Sequence, residues 1–276
     1  MALIHLMAHA PNESGVEATL GTAASHWQVR DYEGVVRLLE PFQNEVHAVR
    51  TEVTVEALQL LADAYRLQGD QRSALLAIER AVQVQPRSTE LKMMLASAYA
   101  DQGQRDAARD VYLRLAAPRD LPANMMLRIA RGMNRIGEIE LASQVCNWAL
   151  AKSPNDAAVV FAMGIYLLRL GEPVYRTEAL MIKALKICPG EPHYSAALAA
   201  LMFRMDRAGE AIQILQTLDL EGFRRIQCKR CLQFLAASLF KIGETQLASL
   251  CTAASAQQKN QSLQTQTPVC FEWSMD

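Results

Sequence analysis

Four glycines in this chain, Gly69, Gly103, Gly137 and Gly171, are each 34 residues from the next. One such interval is coincidence, but Ala62, Ala96, Ala130 and Gly164 keep it too, and Ala74, Ala108 and Ala142 keep it twelve residues further into each unit. Several features sharing one register mean a chain built of repeated supersecondary units, each burying its apolar face against the next. That constraint excludes most folds before any single residue is weighed.

Within one period, apolar residues first recur at helical spacing, as Leu58, Leu61, Ala62 and Tyr65 or Leu95, Ala96 and Tyr99. Glycine then ends the helix in the left-handed region that side chains disfavour. The pattern resumes through Ala74, Ile78 and Ala81 until Pro86 stops it. So short a turn makes the two helices antiparallel neighbours, and the small residue on each lets their backbones approach.

With units starting at Val16, Val55, Thr89, Ala123, Ala157, Pro192 and Lys229, the first helix carries Ala23, Ala62, Ala96, Ala130, Gly164, Ala199 and Ala236 at its small position. The second carries Val35, Ala74, Ala108, Ala142, Thr177, Ala211 and Ala248, so units one and five depart from the pattern. In this spacing the chain resembles the tetratricopeptide repeat (TPR) family of 34-residue helix-turn-helix units. The resemblance implies an all-α fold, a right-handed superhelix or α-solenoid of about seven TPR units over residues 16–256. Residues 1–15 form an N-terminal segment, and 257–276 a polar, flexible tail. In that tail Val269, Phe271 and Trp273 alternate like one face of a docking peptide. Irregularities have local causes: Pro41 is expected to kink or end a helix, Pro173 to lengthen a turn, and Asp219 to cap an extra helical turn.

Little in the chain points to catalysis. No phosphate-binding glycine loop, nucleophile elbow or His-Glu-x-x-His pattern occurs, and His5, His9, His26, His47 and His193 share no metal-ligand spacing. The expectation is a non-enzymatic protein with neither cofactor nor metal. Cys228 and Cys231 flank Lys229 and Arg230, but no second ligand pair follows, so they read as ordinary helix cysteines. The cluster Arg224, Arg225, Lys229 and Arg230 suits an acidic peptide or phosphate, although such runs are more often solvated helix faces. A net charge of -1 argues against a nucleic-acid partner. No stretch reaches the length of a membrane span, the N-terminus lacks a signal-peptide pattern, and scattered cysteines suit a cytoplasmic protein.

By resemblance, the first helices of a TPR superhelix line its groove, and their second, fifth, ninth and twelfth residues face it. The early stripes, Glu56, Gln59, Asp63 and Arg66, then Glu90, Met93, Ser97 and Ala100, are polar. Later ones are greasier, and the expected partner-binding residues are Leu127, Arg131, Phe161, Ile165, Leu168, His193, Phe203 and Phe240. The carboxylate clamp of some family members is absent, since Leu20, Ala24, Leu60, Glu90 and Met94 occupy its positions. The expected function is a scaffold, adaptor or chaperone-like protein holding an apolar peptide or helix of a protein partner. By analogy this suits accessory proteins of bacterial secretion or pilus systems. The alternative is a self-assembling protein, a homo-dimer or larger, joined through its tail or an uncapped end repeat.

Overall fold

The computed structural model describes residues 13–44 and 52–258, which form helices and the short segments joining them, with no strand. The chain divides into two compact units, residues 1–118 and 119–276. The boundary falls between Pro118 and Pro122, where Arg119 takes a positive φ of 56°. The expected stack over 16–256 is thus shared between two units.

The first unit holds α1 (Glu13–Gln28), α2 (Tyr32–Asn44), α3 (Glu52–Gln68), α4 (Gln71–Val84), α5 (Thr89–Asp101) and α6 (Arg105–Ala116). Its core runs from Ala23 and Leu39 through Leu61 and Tyr65 to Ala77 and Ile78. The second unit holds α7 (Ala123–Arg135), α8 (Ile139–Lys152), α9 (Ala157–Arg169), α10 (Val174–Ile187), α11 (Pro192–Arg204), α12 (Ala208–Leu215), α13 (Leu220–Arg225), α14 (Lys229–Lys241) and α15 (Thr245–Gln257). Five first helices begin on the residues the period marks, Thr89, Ala123, Ala157, Pro192 and Lys229.

The turns explain the glycines. Gly137 has φ +89°, its amide donates to Asn134 O, and the amide of Glu138 donates to Met133 O, the pair of bonds that satisfies a helix's last carbonyls. The same pair recurs at Gly69, Gly103, Gly171 and Gly243. It recurs also where the sequence offers no glycine, at Arg30 (φ 62°) and Asp206 (φ 57°), so every helix pair closes on one turn geometry.

Small residues set the helix spacing as expected. All seven pairs are buried, and the two irregular units keep register: Val35 and Thr177 are both fully buried. Thr177 donates its hydroxyl to Gly164 O at 3.3 Å, while a Cβ at Gly164 would lie 3.3 Å from that of Leu180. Threonine therefore replaces alanine where the partner helix has shed its last side-chain carbon.

Two local expectations were met, and of the two alternatives at Pro41 one is excluded. The α9–α10 turn spans residues 170–173 and ends on Pro173, one residue longer than the 136–138 turn. Asp219 caps α13, accepting from the amide of Gly222 at 2.7 Å. Pro41, in contrast, does not end α2, which continues to Asn44.

A candidate peptide cleft in the second unit

Helix α11 decides what the later repeats expose. It packs against α10, α12, α13 and α14, whereas α5 in the first unit packs against α4 and α6. With neighbours on so many sides, α11 buries His193, Ala196 and Ala200, the residues its stripe was expected to offer a partner. Beside it, α13 packs on α11 and α15, anchored by a fully buried Phe223.

Between these helices lies a cleft of about 640 Å³. Its aromatic wall is Phe161, stacked on Tyr194 at 4.6 Å between centroids and meeting the His193 ring edge-on at 5.5 Å. Asp156 holds this wall in place by capping α9, accepting from the amides of Ala158 and Val159. Arg131 from α7 and Arg224 and Arg225 from α13 line the cleft, opposed by one lining carboxylate, Glu191. The C-terminal end of α15 completes the rim with Ala254 and Gln257, and the neighbouring Gln258 donates through Nε2 to Ile226 O.

The charges are unevenly satisfied. Arg225 approaches Glu191 at 3.9 Å and Arg224 approaches Glu221 at 3.6 Å, both loose, solvent-exposed pairs of the kind worth about 0–1 kcal/mol. The Nε of Arg131 is buried and has no hydrogen-bond partner. Burial drives the His193 pKa below its usual 6.5, with Arg131 adding to the effect and Cys228 and Glu191 opposing it. Burial also pushes the Tyr194 hydroxyl up to about 12, so the ring pair is uncharged at neutral pH.

Of the eight residues expected to bind a partner, Arg131, Phe161 and His193 meet in this cleft. Ile165 is fully buried and Leu127 is 5% exposed, so both are core positions: neighbouring helices cover the face that an isolated repeat would leave open. Leu168 and Phe203 are half-buried near the ends of their helices and do not line the cleft. Phe240 is 52% exposed on α14, also away from it. The basic cluster is divided. Arg224 and Arg225 face the cleft, while Lys229 and Arg230 are exposed in the first turn of α14. Tyr194, Glu191 and the C-terminal glutamines lie off the stripe, and no period in the sequence points to them.

The cysteine pair has a structural use. Cys228 caps α14, its Sγ accepting from the amide of Cys231 at 3.2 Å, and both residues are buried. Burial pushes Cys146 and Cys251 up to about 12, far from thiolate reactivity. Among the described residues no group of three or more His, Cys, Asp or Glu is placed to hold a metal, and no helix is long and apolar enough to cross a membrane. Val269, Phe271 and Trp273 lie outside the described residues.

Helix pairs in one register, closed by one turn and spaced by small residues, define a repeat protein of the helix-turn-helix class. The Tetratricopeptide repeat profile matches residues 19–169, more than half of the chain, and the protein belongs to that family. Among solved structures, Pseudomonas aeruginosa PilF superposes with a TM-score of 0.53 at 18% identity, covering 74% of this chain and 89% of PilF. MamA from Desulfovibrio magneticus RS-1 gives a TM-score of 0.48 at 19% identity over 59% of this chain and 92% of its own. The PilF likeness concerns the fold. A search of curated proteins yields no significant match. Its repeats make the protein an interaction scaffold in architecture.

Proposed function

We propose that the cleft of the second unit is a peptide-binding site, and that the protein works as a non-catalytic scaffold presenting it to a protein partner. One observation carries this reading: the aromatic wall of Phe161, Tyr194 and His193 stands beside three arginines in a concavity of about 640 Å³. That volume lies in the range of roughly 300–1,000 Å³ typical of clefts that enclose a small ligand. It suits a few side chains of an extended segment better than the face of a whole helix. Gln227, Gln257 and Gln258 supply amides able to pair with a peptide backbone. The residues add nothing to the analogy with secretion or pilus accessory proteins, so the proposal concerns the cleft and its ligand.

The test fills the cleft without emptying the core. Ala158 is half-buried on the cleft wall, so Ala158→Trp obstructs the site while Phe161 stays packed. Partners recovered from the native cell by the wild-type protein are expected to be lost with Ala158→Trp and kept with Phe240→Ala, which alters a residue outside the cleft. Equal recovery by all three proteins removes the proposal.

Self-association is the second reading, favoured by Phe240 and Ile242, which are 52% and 43% exposed on the last helix pair. A terminal repeat that leaves apolar side chains in water gains by covering them. Light scattering of Phe240→Glu decides this: a mass equal to that of wild type, both monomeric, eliminates it.

A further inference from the structure

The cleft's charge balance narrows its ligand, granted the peptide-site reading above. Three arginines against one lining carboxylate leave an excess of positive charge beside an aromatic wall. A wholly apolar segment entering there would strip water from the exposed guanidinium groups of Arg224 and Arg225 and return no acceptor. A segment bearing Asp or Glu supplies that acceptor and displaces only the weak Arg224–Glu221 and Arg225–Glu191 pairs, at 3.6 and 3.9 Å. A ring beside the carboxylates extends the Phe161–Tyr194 stack. We infer that the cleft selects an acidic peptide segment carrying an aromatic residue, its carboxylates bound by Arg131, Arg224 and Arg225 and its ring by Tyr194, the half-buried member of the Phe161–Tyr194 stack. This charge requirement is added to the apolar peptide or helix expected from the stripe. It is also distinct from the family's carboxylate clamp, whose positions in this chain hold none of these residues.

Fluorescence anisotropy with labelled synthetic hexapeptides on the full chain tests the inference. One peptide sets Phe and Trp among Asp and Glu, a second replaces every acid by Lys, a third replaces every acid by Ser, and a fourth keeps the acids but replaces both rings by Ala. The first is expected to bind at least tenfold more tightly than any other, and to weaken about tenfold between 50 and 500 mM salt as its ion pairs are screened. Arg224→Gln with Arg225→Gln, both exposed and therefore compatible with folding, should remove most of the difference between the acidic and serine peptides.

Equal binding of the acidic and serine peptides overturns the charge requirement and leaves the peptide site standing. Failure of all four to bind either the wild-type chain or its Phe271→Ala, Trp273→Ala variant overturns the peptide site itself. A single-stranded oligonucleotide binding more tightly than the acidic peptide reassigns the arginines to nucleic acid and defeats the inference. The chain's own residues 271–273 are Phe-Glu-Trp, the same chemistry in cis. Should the acidic peptide bind only after Phe271→Ala and Trp273→Ala, the occupant is the chain itself, and assignment to a separate partner falls.

Discussion

Helix α3 of the first unit and helices α9 and α11 of the second obey one register, yet they use their stripes in opposite ways. On α3, Glu56 is exposed and Asp63 pairs with Arg66 at 2.6 Å along the same helix, a solvated surface. On α9 and α11 the corresponding Phe161, Ile165, His193, Ala196 and Ala200 are buried. Position in the repeat sets the direction of a side chain, but what it meets depends on which other helices arrive there. On α11 the difference traces to α13, a six-residue helix that follows the sixth helix pair. It packs on α11 and α15 and carries two arginines to the mouth of the cleft.

The comparison breaks most severely if α13 loses its anchor. Phe223→Ala removes a fully buried ring and is expected to cost about 3–5 kcal/mol. Hydrogen exchange should quicken in α11, α13 and α15 while the amides of residues 52–116 keep their protection. Uniform quickening in both units would show that α13 does not set the second unit apart. Overpacking a spacing residue in the first unit gives the converse. Ala96→Leu, at a fully buried position, should cost about 1–3 kcal/mol in urea titration and leave exchange in α11 unchanged.

Turns sharpen the comparison at a smaller scale. A Cβ on Gly137 meets nothing within 4 Å, so Gly137→Ala isolates the backbone cost of a positive φ, about 1–2 kcal/mol. Asp206→Gly should stabilise by about 0.5–1 kcal/mol, because it relieves the same conformation at an exposed residue. Loss of stability on both substitutions would contradict a common turn geometry.

Smallest near neutrality is the effect of acid. His193 is buried with its pKa lowered from 6.5, so the folded second unit binds fewer protons there than the unfolded chain. Its contribution is fully present above about pH 6.5 and is lost as pH falls below that value toward and through the folded pKa. The urea midpoint should therefore drop with acid in this window, and the drop should flatten in His193→Gln. An unchanged slope would place the titrating group elsewhere.

Much of this was legible in the sequence because it depends on residues close together in the chain. A glycine at a helix end needs only its own backbone freedom, and a small residue opposite another needs only the adjacent helix. Thus the repeat register located the turns at Gly69, Gly103, Gly137 and Gly171, the spacing pairs and the starts of α5, α7, α9, α11 and α14. Even Asp219 was readable as a cap, since its bond to the Gly222 amide spans three residues.

The tertiary structure alone decided which stripes are enclosed and which side chains share the cleft. Arg131, Phe161, Arg224 and Gln257 come from four helices, and their meeting depends on how α13 packs between α11 and α15. A periodic pattern states which way a side chain points from its own helix axis. Whether it meets water, a ring or a guanidinium depends on contacts between residues far apart in the chain, and a local repeat does not encode them.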